Sequence, residues 1–292
     1  MKKLTLIALA ASIALMFSAC GPKGGEPAID ENDTPQPEND PIVQTEEPVF
    51  VEEQVLVDEA GIKITATDFE DGFMGPQLRL LIENDTEQNI IVQARNSSVN
   101  GYMIDANISS DIAAGKKSND SITFFDADLE KCGIETIADM EFSFIVLDSD
   151  TWETYLESAP IQIETAAKPD YKYTYNDSGE LIYEENGIKI VSQGIISDDS
   201  VTGPELRLYI ENESGNDITI QSRDVSVNGF MTESLMSADV INGKRAVDGI
   251  TFYSSSLDEN GITDISSTEF SLIILDADYN TIAKTDAIAL EF

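Results

Sequence analysis

The sequence predicts an all-β protein: two tandem antiparallel β-sandwich domains, preceded by an export signal and a disordered acidic tether. Three observations carry this expectation. Apolar and polar residues alternate at period two in short runs, tight-turn dipeptides separate those runs, and the whole pattern occurs twice along the chain.

Composition sets the outer bounds. A chain of 292 residues with 41% hydrophobic residues can bury two ordinary cores. It carries 55 Asp and Glu against 17 Lys and Arg, a formal net charge of −38. Such a surface repels phosphate backbones, so nucleic acid is excluded as a partner; solubility is the plain reading of the acidity, and cations or basic surfaces the sharper one. Histidine is absent, which removes Ser-His-Asp and Cys-His mechanisms and His-ligated zinc. No cofactor motif is present, and any catalysis would rest on carboxylates, Lys, Tyr or a bound metal.

The elements follow in chain order. Lys2 and Lys3 precede an apolar run from Leu4 to Met16, too short to span a bilayer and of the length of a signal peptide. Phe17-Ser18-Ala19-Cys20-Gly21 closes it and resembles the lipobox of bacterial lipoproteins, with Phe17 where Leu is usual. That resemblance implies lipidation at Cys20 and anchoring to the outer face of the bacterial cell membrane. Residues from Gly21 to about Glu47 are rich in Pro, Gly and acids, hence a tether reaching on the order of 30 Å. With Cys20 lipidated, Cys132 is left without a disulfide partner.

An internal repeat follows. Gly75-Pro76-Gln77-Leu78-Arg79-Leu80 recurs as Gly203-Pro204-Glu205-Leu206-Arg207-Leu208, and Val99-Asn100-Gly101 as Val227-Asn228-Gly229. At that shift of 128 residues, about 35 of the 76 positions from Gly75 to Asp150 are identical. These are complete domains in tandem rather than a solenoid. The chain therefore divides into a signal peptide with its lipobox (1–20), a tether (21–52), a first sandwich (53–165), a linker (166–178) and a second sandwich (179–292). Only a short Pro-containing segment is expected to join the two sandwiches, so each is expected to fold separately.

Within a unit, Ile62, Ile64 and Ala66, then Leu78, Leu80 and Ile82, then Phe142, Phe144 and Val146 mark inward faces of strands. Asn100-Gly101 predicts a type I′ hairpin, since both central residues need positive φ. Asp126 to Cys132 before Gly133 predicts a single short helical turn. Seven or eight short strands in about 110 residues give two antiparallel sheets of immunoglobulin-like layering. The Leu78-Arg79-Leu80 strand leading into Ile82-Glu83-Asn84, the Gly115-Lys116 turn and the Ile122-Thr123-Phe124 strand resemble the immunoglobulin-like domains repeated in lipoproteins of Gram-positive bacteria. That resemblance implies architecture and location and no active site. The paired cysteines and buried Trp of antibody domains are missing, because Trp152 occurs in the first copy alone and follows a turn.

Candidate chemistry is sparse. Asp148 and Asp150, with Asp276, Asp278 and Asn280, resemble the opening of a calcium loop, but the Gly and bidentate acid of an EF-hand are missing, and a strand-linking turn explains the acids more cheaply. Arg79 with Arg207, and Arg95 with Arg223, are arginines at matched positions, each able to hold an anion or a cross-strand acid. Cys132 has acidic neighbours that disfavour its thiolate. Tyr171, Tyr173 and Tyr175 alternate as an added edge strand of the second domain would, or as a platform for sugar rings. The expected function is a non-catalytic binding or adhesion module of the cell envelope, taking a protein, glycan or divalent cation; the alternative is a carboxylate-based hydrolase of wall polysaccharide. An importer's solute receptor fits less well, since it would need alternating strands and helices.

Overall fold

The amphipathic runs of the sequence become strand ladders in a computed structural model that describes residues 49–197 and 202–292. The expected signal peptide, Cys20 and most of the expected tether lie outside the described residues. Each repeat supplies eleven strands. The first contributes β1 (Gln54–Glu59), β2 (Ile62–Asp71), β3 (Pro76–Asn84), β4 (Ile90–Val99), β5 (Tyr102–Met103), β6 (Ala106–Asn107), β7 (Ser109–Ile112), β8 (Lys116–Phe124), β9 (Asp139–Asp148), β10 (Thr154–Glu157) and β11 (Ile161–Glu164). The second contributes β12 (Glu180–Glu185), β13 (Ile188–Ile196), β14 (Glu205–Asn212), β15 (Ile218–Val227), β16 (Phe230–Met231), β17 (Ser234–Leu235), β18 (Ser237–Val240), β19 (Lys244–Phe252), β20 (Ser267–Asp276), β21 (Thr281–Lys284) and β22 (Ile288–Glu291). The predicted helical turn is α1 (Asp126–Lys131), and its counterpart is α2 (Ser254–Glu259).

Each repeat is an antiparallel sandwich, as its alternation requires. One sheet of the first repeat runs β1-β2-β3-β8-β6, and the facing sheet is built on β10-β9-β4-β5 with β7 and β11 added. The second repeat copies this as β12-β13-β14-β19 with β17, facing β16-β15-β20-β21 with β18 and β22. Leu78, Leu80 and Ile82 point inward from β3 to meet Val92, Phe142 and Phe144; Leu206, Leu208 and Ile210 meet Ile220, Phe270 and Leu272 in the second core. Each such side chain, removed from water, stabilises the fold by about 1.5–3 kcal/mol.

Turn chemistry repeats as faithfully. Asn100 and Gly101 take φ of 50° and 84°, and Asn228 and Gly229 take 51° and 83°, the left-handed pair of a type I′ hairpin. Asn100 does more than turn. Its Oδ1 accepts from the N–H of Ala138 (2.8 Å) and of Asp139 (3.1 Å), and its Nδ2 donates to Thr136 O (2.8 Å). Asn228 binds Ser266, Ser267 and Asp264 in the same way. The Gly-Pro that opens β3 also has a local cause. At Gly75 and at Gly203, a Cβ would lie 2.0 Å from the carbonyl oxygen of Phe124 and of Phe252, so only glycine fits.

The two sandwiches are joined by more than the connecting segment, contrary to expectation. Strands β5 and β19 form a parallel bridge at Tyr102 and Arg245, with Arg245 N–H donating to Gly101 O (2.9 Å), so that one sheet from each repeat merges into a single eleven-stranded sheet. Val191 and Tyr209 of the second repeat are buried in the core of the first. Ion pairs Lys131–Glu205 (3.0 Å) and Lys244–Glu141 (3.3 Å) flank this seam. The tyrosine segment also departs from its expected role. It forms no strand; instead Tyr171 OH accepts from Asn100 Nδ2 (2.9 Å), and Tyr175 meets Tyr102 edge-on at 5.4 Å with Arg245 stacked 4.0 Å above it. Its alternation puts Tyr171 and Tyr175 over the hairpin and not into a ladder. Residues Glu47–Phe292 consequently form one compact unit.

Candidate functional site

A concavity beside the first repeat has a local origin. Strand β4 carries a bulge between Arg95 and Ser98, where Asn96 adopts φ 54°, and β15 carries the same bulge between Arg223 and Ser226, with Asp224 at 54°. A bulge bends the strand and re-aims its side chains, leaving a hollow between the bulged strand, the hairpin after it and the short helix. In the first repeat this hollow measures 640 Å³ and is lined by Arg95, Met103, Asp105, Asp128, Lys131 and Cys132, with Val247 and Asp248 of the second repeat closing one side. In the second repeat the matching hollow measures 850 Å³ and is lined by Arg223, Met231, Glu233, Leu235, Glu259 and Asn260.

Electrostatics distinguish the two. Burial pushes the Asp128 carboxyl above the usual carboxylate range, helped by the charge of Asp105 and opposed by Lys131. Burial raises Asp248 likewise, against the pull of a hydrogen bond from Gly249 N–H. The Cys132 thiol is pushed up to about 12, chiefly by desolvation, with Lys131 and the Val247 N–H acting in the opposite sense. It is a protonated, inert thiol near neutral pH. Its counterpart in the second hollow is Asn260.

Several side chains singled out in the sequence converge here and others do not. Arg95 and Cys132 share the first hollow, and Arg223 lines the second. Arg95 makes no ion pair among the described residues, while Arg223 donates to Ser222 O (2.7 Å) and Gln221 Oε1 (2.5 Å). Arg79 and Arg207 lie on the first sheets, paired with Glu70 (3.2 Å) and Glu205 (3.2 Å). Asp148 caps the turn after β9: its Oδ1 accepts from the N–H groups of Asp150 and Thr151, both at 2.9 Å, which hold its carboxyl below the usual range. Asp276 does the same for Asp278 (3.0 Å) and Asn280 (2.8 Å). Trp152 sits in the first of these turns, 64% exposed, at φ 62°. Among the described residues no three His, Cys, Asp or Glu side chains cluster as a metal site would require. Nor is any helix there long and apolar enough to cross a membrane.

Asp128, Asp248, Met103 and Lys131 were not singled out from sequence. One signal did exist: on the outward face of the second repeat's first sheet, Val191 and Val247 replace Thr65 and Asn119, and the larger Tyr209 replaces Leu81. An apolar gain on a solvent face of one copy marks a surface that is covered.

No family model and no curated protein matches the sequence. Among solved structures, the YadV chaperone is 10% identical over 74% of this chain and 92% of that one, with a TM-score of 0.22. The SafB chaperone of Salmonella enterica, in complex with the SafA pilin, is 12% identical over 74% and 89%, with a TM-score of 0.22. Red sea bream transglutaminase is 8% identical over 82% of this chain and 31% of its own, with a TM-score of 0.20. Scores this low leave the fold to be read from the strand ladders alone.

Proposed function

We propose that this chain is an exported lipoprotein, anchored through Cys20 to the outer face of a bacterial membrane, whose paired sandwiches form a non-catalytic binding module of the cell envelope. One observation carries the binding reading: the same bulge-built hollow occurs in both repeats, with a matched arginine, Arg95 or Arg223, at each. Guanidinium, carboxylate and amide groups around a half-open hollow suit a hydroxyl-rich or mixed-charge ligand, such as an envelope glycan or a polar protein surface. Two sites on one tether gain avidity. The lipobox resemblance supports the anchor, and an acidic tether would hold the module clear of the surface.

A second reading has one supporting observation. Asp128 and Asp248 both line the first hollow and both have raised pKa values, as a carboxyl acting as general acid would. The experiment separates the two. Residues 48–292 are incubated with purified envelope fractions, with and without calcium, and both retained protein and released sugar are measured. Retention without turnover, lost in the Arg95→Ala/Arg223→Ala double variant, is the expected result. Sugar release that disappears in Asp128→Asn would overturn the binding reading in favour of hydrolysis. For the anchor, fatty-acid label incorporated in a bacterial host should vanish in Cys20→Ala.

A further inference from the structure

The contact between the two repeats is heterologous. The hairpin and helix side of the first repeat receives the outer face of β14 and β19 from the second. A heterologous contact that does not close on itself leaves one copy of each half unused at the ends. Both unused halves are present here. At the far end, β16 is a terminal strand, and Phe230, Met231 and Leu235 are 50%, 68% and 58% exposed, whereas Tyr102, at the position of Phe230, is 2% exposed. At the near end, β8 pairs with β6 only through Thr123 and Phe124, which leaves its Lys116–Asn119 stretch an open edge among the described residues.

We propose that the occupant of the Phe230–Met231 hairpin is a second copy of this chain, docked through the outer face of its β3 and β8, so that copies add head to tail. Most of the pairs that meet at the internal seam translate into compatible pairs at this second one. Glu141–Lys244 becomes Glu269 against Lys116, which keeps the ion pair. Tyr102 with Arg245 becomes Phe230 with Lys117, and Lys117 is held by Glu83 as Arg245 is by Glu211. Cys132 beside Val247 becomes Asn260 beside Asn119, apolar for apolar exchanged for amide for amide. Lys131–Glu205 becomes Glu259 against Gln77, which removes the ion pair, and Lys131 near Asp248 becomes Glu259 near Asp120, a like-charge contact that opposes docking. Leu81 and Thr65 stand where Tyr209 and Val191 fill the internal seam, and no tyrosine precedes β1 as Tyr171 and Tyr175 precede β12. Docking between copies is therefore weaker than docking between repeats, as suits proteins concentrated on a membrane. It would close the second hollow as the second repeat closes the first, leaving Arg223 at its mouth. None of this depends on what ligand the hollows take.

Sedimentation equilibrium of the chain lacking residues 1–20 tests the proposal. The mean mass should rise above the monomer as concentration increases towards roughly millimolar. Phe230→Asp, Lys116→Glu and Glu269→Lys should each return it to the monomer; all three sites are exposed in the isolated chain. Mixing the Lys116→Glu and Glu269→Lys chains should restore association, and so should the Lys116→Glu/Glu269→Lys double variant. As an independent measurement, Asn119→Cys/Asn260→Cys in a Cys132→Ser background should oxidise to a ladder of disulfide-linked chains. A monomer at every concentration, together with the absence of that ladder, overturns the proposal. So does association that the charge swaps leave unchanged.

Discussion

Replacing Asn100 by Ala removes three hydrogen bonds to backbone groups at a site only 2% exposed. The N–H groups of Ala138 and Asp139 and the carbonyl of Thr136 lose partners where water has little access. Each such loss costs about 1 kcal/mol net, and more for a donor left buried and unmade. Alanine must also hold φ near 50°, a left-handed conformation that costs a residue with a Cβ about 1 kcal/mol. The sum for Asn100→Ala is about 3–5 kcal/mol. At Asn228 the bonds are alike, but the hairpin is open to solvent and no tyrosine covers it, so water replaces much of what is lost and about 1–2 kcal/mol is expected. Asn100→Gly isolates the backbone part, because glycine accepts positive φ, and should recover about 1 kcal/mol of the Asn100→Ala loss. Urea unfolding of residues 47–292 gives the three values, with hydrogen exchange at Ala138 and Asp139 as the local readout. The reasoning fails if Asn228→Ala costs as much as Asn100→Ala, or if Asn100→Gly is no better than Asn100→Ala.

Two further outcomes follow from the seam. Tyr209 is 1% exposed between the repeats, so Tyr209→Ala should cost about 3–5 kcal/mol and split one calorimetric unfolding transition into two; two separated transitions in the unaltered protein would refute the coupling. Cys132, with its thiol at about 12, should resist alkylation at pH 8 in the folded protein and react on the order of 1,000-fold faster once unfolded. Because the folded state keeps a proton that the unfolded state releases, its contribution to stability is complete below the ordinary thiol pKa and is lost as pH rises towards 12. Cys132→Ser should flatten that alkaline decline, as pH-dependent urea unfolding would show.

Strand periodicity, the Asn-Gly hairpins and the short helix were legible because each depends on residues close in sequence, and the duplication because the two copies match residue for residue. Alternation at period two places Leu78, Leu80 and Ile82 on one face whatever the rest of the chain does, and Asn100-Gly101 takes positive φ for steric reasons of its own. The candidate site was legible only in fragments. Arg95 and Cys132 stand out singly, but the hollow they share needs a bulge at Asn96, a hairpin and a helix to meet, with Asp248 arriving from more than a hundred residues away. The tyrosines show the same limit: an alternating Tyr171, Tyr173 and Tyr175 reads as a strand, because a period of two reports the direction of side chains and not what lies opposite them.

The sequence by itself determined the class of fold and the turn positions, since these follow from short-range sterics and from which residues avoid water. The tertiary structure alone decided that the two sandwiches share a buried seam. That seam depends on Tyr209, Val191 and Val247 meeting Tyr102, Met103 and Cys132 across the repeats. Such a meeting is a property of two surfaces in space, and no periodicity along either one encodes it.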